Sequence, residues 1–230
     1  MAVAKRHLRA IPQLEFFRLM GTGAGAGFSI RPNFGVFSFF GVWPNIDVAK
    51  DQLCEAPVFR RYFSHAKRSC TFLLEPVSSR GAWDGFELPI DDPAPFQNWP
   101  VVALTRATIN PFKARAFWRH VPAISDRAEQ DKAQCFMIGT GELPWFRQVT
   151  FSVWRDEKAL RRFARQTQSH GVAAKRAFSE SWFLESCFSR FNLLGISGDW
   201  PGLQNVSELL EPRKRPDPQR LPTRSDEVLV

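Results

Sequence analysis

Leu19-Met20-Gly21-Thr22-Gly23 and Met137-Ile138-Gly139-Thr140-Gly141 are one phrase written twice, and the residues after each copy keep the parallel. A second apolar run follows in both places: Gly35-Val36-Phe37-Ser38-Phe39-Phe40-Gly41-Val42-Trp43, and Val149-Thr150-Phe151-Ser152-Val153-Trp154. Each run ends on Trp. A polar turn then carries Asp47 or Asp156, a residue type that caps helices by accepting from an orphan backbone N–H. Each half closes on a glycine turn around Trp, Gly81-Ala82-Trp83-Asp84-Gly85 and Gly198-Asp199-Trp200-Pro201-Gly202. Upstream, Arg6-His7-Leu8-Arg9-Ala10-Ile11 is answered by Arg119-His120-Val121-Pro122-Ala123-Ile124. A period of roughly 115 residues is too long for a solenoid and points to a duplicated unit.

The second copy is the more complete. It reads as a strand over 101–109, a helix opening at Pro111, strands over 135–139 and 148–154, a helix over 156–170, further helix over 173–188 and a strand over 191–196. That is the β-α-β-β-α-β order of a ferredoxin-like unit, with Pro111 suited to a first helical turn. The first copy begins at its helix, so its opening strand is expected to be missing. The expected fold is therefore α+β, with tandem ferredoxin-like units arranged as in a dimeric α/β barrel. The divisions are 1–88 for the first repeat, 89–100 for a proline-containing linker, 101–206 for the second repeat and 207–230 for a disordered tail, where prolines alternate with charges.

Composition narrows the function. The chain has 230 residues, 22 Phe, 8 Trp and one Tyr, a bias towards dry aromatic surfaces that fits either a Phe-rich core or a site for an apolar ligand. The net charge of +8 favours anionic partners. No zinc finger or RNP motif is present, so nucleic acid is not expected. The four cysteines are far apart and form no Cys-x-x-Cys pair, which speaks against a zinc site or a disulfide framework and for the reduced thiols of a cytoplasmic protein. Lys5, Arg6 and Arg9 interrupt any signal-peptide core, and the apolar run over 34–43 is too short to span a bilayer.

The glycine run over 21–27 has dinucleotide-loop spacing at Gly21, Gly23 and Ala26. However, Ser29-Ile30-Arg31-Pro32 leads towards a strand rather than the helix that such a loop requires. It is expected to be a strand-to-strand connection. His170 follows Phe163 by two helical turns and so falls on the apolar side of its helix. Two readings stand for it: an axial ligand to haem iron, or a helix-end histidine favoured by the dipole beside the capping Gly171. His65 is the runner-up ligand from the first copy, while His7 and His120, each beside Arg, read as surface or helix-edge residues. No hydrolytic triad or close carboxylate pair is legible, and Asp156, Glu157, Glu180 and Glu185 read as helix-surface charges.

The pattern resembles the spheroidene monooxygenase family, the acyclic carotenoid 2-ketolases of purple phototrophic bacteria. The resemblance runs from about Phe16 to Trp200. It is carried by 17–25, 57–61, 103–108, by Phe117-Trp118-Arg119-His120-Val121-Pro122-Ala123-Ile124-Ser125, by 148–154 and by Trp182-Phe183. It implies a haem-dependent oxygenase that uses O₂ and reduced ferredoxin to place a keto group at C-2 of spheroidene-type carotenoids. A haem iron would sit on His170 or His65, and no catalytic residue is carried over. The alternatives are an oxygenase acting on another lipophilic substrate and a haem- or lipid-binding module without turnover. The basic surface would suit an acidic ferredoxin, or peripheral contact with an anionic inner or intracytoplasmic membrane. Members of the family normally begin with an extra strand and part of a helix before the position of Met1, and the proline-rich tail is atypical of them.

Overall fold

The computed structural model describes residues 2–23, 31–90, 100–170 and 182–210. Among these residues seven strands form one antiparallel sheet. They are β1 (Phe16–Gly23), β2 (Pro32–Val42), β3 (Cys70–Gly81), β4 (Val101–Ile109), β5 (Gln134–Leu143), β6 (Arg147–Trp154) and β7 (Phe183–Gly198). The helices are α1 (Ala2–Arg9), α2 (Ile46–Glu55), α3 (Pro57–His65), α4 (Ala114–Gln130), α5 (Glu157–His170) and α6 (Gln204–Leu210). The strand order is β2-β1-β5-β6-β4-β7-β3.

Alternation along β4 sets the two faces of the sheet. Val102 and Leu104 enter the main core, whereas Val101 and Ala103 face α5. The sheet is curled. Phe40 on β2 lies 6.5 Å from Phe191 on β7, although β1, β5, β6 and β4 stand between their strands. Phe72 on β3 likewise meets Phe136 on β5 and Phe151 on β6 at 5.4 and 4.8 Å. A flat sheet would hold such strands well apart, at roughly 4.8 Å per step. Phe16, Phe40, Phe72, Phe136, Phe151 and Phe191 thus fill the concave face, and Leu203, just before α6, and Val206 within it pack into the same core.

The repeated glycine phrases meet each other. Gly21 lies opposite Gly141 and Thr22 opposite Thr140, which joins β1 to β5 through two residue pairs. The glycine turns also behave as their sequence implies. Gly81, Gly85, Gly198 and Gly202 all have positive φ, between +77° and +97°, where glycine carries no steric penalty. Residues 24–30 lie outside the described residues, and the next described element is β2 rather than a helix.

The second half follows the expected β-α-β-β-α-β order, with β5-β6-β4-β7 adjacent in the sheet. Asp156 caps α5 as expected, accepting from the Ala159 N–H at 2.8 Å, while Phe163 packs on Trp154. The first-half cap is Asn45 and not Asp47. Its Oδ1 accepts from the Val48 N–H at 2.9 Å because the helix opens one residue after it. Asp47 sits instead in the first turn, where its charge favours the dipole.

The helix expected over 173–188 is corrected where it is described, since Phe183–Phe188 is the start of β7. Period-2 burial, with Cys187, Ser189 and Phe191 buried, decides this stretch, and β4 pairs along it. Residues 171–181 lie outside the described part. The last helix runs to Leu210 because Val206 is buried and Leu210 packs on the core, so the expected tail is ordered at its start. Residues 211–230 lie outside the described part, as do 91–99 of the expected linker. The described cysteines are unpaired thiols.

Candidate functional site

Chemistry-bearing residues gather at one end of the sheet, where β4, β5 and β7 bring Arg106, Glu142 and Glu185 together. Arg106 shares the inward parity of Val102 and Leu104 and is fully buried. Its Nη1 donates to Glu185 Oε2, and its Nη2 donates to Asp84 Oδ1 at 3.1 Å and lies 3.7 Å from Glu142 Oε2. Glu142 also pairs with Arg18 Nε at 2.8 Å and accepts from Trp83 Nε1 at 3.1 Å. Asp84 Oδ2 meets Arg18 at 3.0 Å and Arg147 at 3.3 Å. Three carboxylates and three guanidinium groups therefore tie β1, β4, β5, β6, β7 and the Gly81–Gly85 turn together.

Burial pushes the Glu185 carboxyl up. The N–H groups of Gly85 and Asp84, each 3.1 Å away, and the Arg106 charge pull it down, and the net position is below the ordinary glutamate value. An ionised glutamate engaged in this way is a brace and not a proton donor. Glu185 was expected on a helix surface. The correction is that it stands on β7, and the sequence signal for this cluster was Arg106 occupying an apolar parity position of β4. Glu157 keeps its expected helical place and pairs with Arg161, whereas Glu180 lies outside the described residues.

Outside this brace, α4 and the β5–β6 hairpin form an open apolar groove. It is about 420 Å³ in volume and is lined by Ala114, Arg115, Trp118, Arg119, Trp145 and Phe146. The groove forms because 114, 115, 118 and 119 share one helical face. Two of the bonds that hold the hairpin tip come from β4 and α4: Trp118 Nε1 donates to the Trp145 carbonyl at 3.0 Å, and the Ile109 N–H donates to the Phe146 carbonyl at 2.7 Å. Trp145 takes φ +69°, an uncommon state for a bulky residue, and is 47% exposed. Its volume falls within the range of small-ligand sites, with aromatic walls and two flexible cations at the rim. Sequence reading did not single out this groove, because its walls come from two separate stretches.

Among the described side chains no histidine lines it. His120 lies on α4, half-buried, with its ring stacked on Trp182 at 5.5 Å. His65 is exposed at the end of α3. Its Nδ1 lies 2.8 Å from the Arg61 carbonyl and 3.0 Å from Ser64 Oγ. His170 is the last residue of α5, as expected, and its side chain lies outside the described residues. A haem needs an enclosed apolar slot with an imidazole directed into it. His65, exposed to solvent, offers no such enclosure. Among the described residues no cluster of His, Cys, Asp and Glu would hold a metal ion.

No family model matches the chain. Comparison with curated proteins is decisive. The spheroidene monooxygenase of Rhodobacter capsulatus is 41% identical over 92% of this chain and 89% of its own length. The chain belongs to the spheroidene monooxygenase family. The enzymes of that name from Cereibacter sphaeroides and Rubrivivax gelatinosus agree, at 39% identity over 96% of this chain and 69% of the relative, and at 36% over 83% and 73%. Among solved structures, a candidate monooxygenase from Fusobacterium nucleatum covers 86% of each chain at 6% identity and TM-score 0.40. A second, from Lactobacillus acidophilus, covers 86% of this chain and 90% of that one at 12% identity and TM-score 0.36. The family assignment rests on the curated relatives and takes nothing from these two likenesses.

Proposed function

We propose that the chain is a carotenoid monooxygenase acting on acyclic, spheroidene-type substrates. The observation that carries this reading is its identity with three enzymes named for that activity, and the aromatic groove adds physical support. Trp118, Trp145 and Phe146 present flat apolar surfaces on which a polyene stacks without needing hydrogen bonds. At about 420 Å³ the groove takes one end of a long carotenoid, which suits attack near a chain terminus. The ionic brace would hold the strands behind the groove in fixed register as a greasy substrate enters.

The reaction in this reading is two hydroxylations at C-2. Each consumes one O₂, two electrons and two protons and releases one water. The gem-diol that results loses a further water to give the ketone. Reduced ferredoxin is the proposed electron donor, drawn to the chain by its net charge of +8. Haem is the proposed cofactor and would supply oxygen activation when bound. His170, at the end of α5, is the ligand proposed, in preference to the exposed His65. In the same reading the chain is a tandem pair of ferredoxin-like units, 1–88 and 101–206, joined by 89–100.

Expression in a spheroidene-producing host under oxygen tests substrate and chemistry together. Spheroidenone is expected, and unchanged pigment would overturn the reading. Purified protein expressed with haem supplied should show a Soret band that shifts or disappears in His170→Ala. A missing band, or one untouched by the substitution, would sink the cofactor or the ligand assignment respectively.

A further inference from the structure

Around the groove, the tip formed by the end of β4, the start of α4 and the β5–β6 hairpin exposes apolar side chains among the described residues. Phe112 is 95% exposed, and Leu143 and Trp145 stand about half in solvent. Lys113, Arg115 and Arg119 lie beside them and have no ion-pair partner among the described residues. By contrast, the cations of the neighbouring brace, Arg18, Arg106 and Arg147, are all matched by carboxylates.

We infer that this tip docks the protein on an anionic lipid bilayer, with Phe112, Leu143 and Trp145 entering the interface and Lys113, Arg115 and Arg119 meeting the headgroups. Three features of the surface favour lipid over an acidic protein partner. The apolar groups protrude, and a fluid bilayer accepts a protrusion without a matching cavity. Trp with Phe on an otherwise polar surface is the composition of interfacial anchors. Lys and Arg stems can lie along apolar surface while their charges reach outward. The groove opens at the same tip, so the docked protein would take a lipid-soluble substrate from the bilayer through it. That last consequence rests on the proposed carotenoid reading, whereas the docking itself does not.

The test uses the full chain with carotenoid-free vesicles, of phosphatidylcholine alone or with phosphatidylglycerol added, in a sedimentation assay. Binding is expected to the anionic vesicles, weakening with salt. Lys113→Gln, Arg115→Gln and Arg119→Gln should each weaken it about fivefold. Phe112→Ser should weaken it as well, while turnover on detergent-dispersed carotenoid is unchanged. Brominated lipid should quench tryptophan emission in the wild type and less so in Trp145→Gly. Circular dichroism confirms that each variant is folded. No vesicle binding, equal binding to both vesicle types, or variants that bind like wild type would overturn the inference. So would these substitutions abolishing capture by an immobilised acidic protein while vesicles are ignored. Turnover in detergent without vesicle binding sinks the docking alone, and vesicle binding without turnover on any carotenoid sinks the carotenoid reading alone.

Discussion

Replacing Arg106 with Met keeps most of the side-chain volume and removes the charge at the centre of the ionic brace. The guanidinium is fully buried and faces Glu185, Asp84 and Glu142, whose side chains are 29%, 30% and 12% exposed. Without it, Glu185 keeps its two amide hydrogen bonds but has no cation, Glu142 keeps Arg18 and the Trp83 indole N–H, and Asp84 keeps Arg18 and Arg147. Breaking a buried pair from one side costs about 3–5 kcal/mol. The partial exposure of the acids places the expectation at the lower end, about 3 kcal/mol. For a chain of this size that lowers Tm by roughly 6–12 °C. Glu185→Gln alone removes one charge while keeping a hydrogen-bonding group, at a cost of about 1.5–3 kcal/mol. The two residues are in contact, so the double variant should fall short of additivity by about 0.5–3 kcal/mol.

Urea unfolding of wild type, both single variants and the double variant at neutral pH measures all four corners. The pH dependence supplies a second check. The folded-state pKa of Glu185 is depressed, so its contribution to stability is complete above the unfolded-state value and is lost as pH falls through the folded one. The gap between wild type and Glu185→Gln should therefore narrow on acidification. An Arg106→Met variant within 1 kcal/mol of wild type, or a gap that widens in acid, would refute the brace.

Three further outcomes follow from local geometry. Trp145→Gly relieves a left-handed backbone at φ +69° and keeps the carbonyl that Trp118 uses, so thermal melts should show unchanged stability or a gain of about 1 kcal/mol. Gly81→Ala should destabilise by more than about 1 kcal/mol, because φ is +88° and the added Cβ would stand 2.1 Å from the Ser186 carbonyl oxygen, on backbone that cannot swing away; equal melting temperatures would contradict this. Burial pushes the Cys70 thiol up to about 11, so a disulfide reagent at pH 8 should label the exposed Cys54 first and Cys70 only on unfolding, as read by peptide mass spectrometry.

Short-range features follow from the residues without help from the fold. Alternation over Val101–Ile109 made a strand, Asp156 two residues past Trp154 capped a helix, and glycines at 81, 85, 198 and 202 set turns that need positive φ. The family, too, was legible in the residues. Local pattern misled where two periods competed. Residues 183–188 carry apolar groups compatible with a helix, and pairing with β4 settled them as strand. The cap passed from Asp47 to Asn45 because the helix start is fixed to within one residue only by the folded backbone.

Tertiary structure alone decided the site. Arg106 meets Asp84 across 22 residues and Glu185 across 79, and the groove needs α4 beside a hairpin near residue 145. No propensity or spacing encodes such partners. They are set by which strands become neighbours when the sheet curls, and by the desolvation that leaves a buried guanidinium no stable place except among carboxylates.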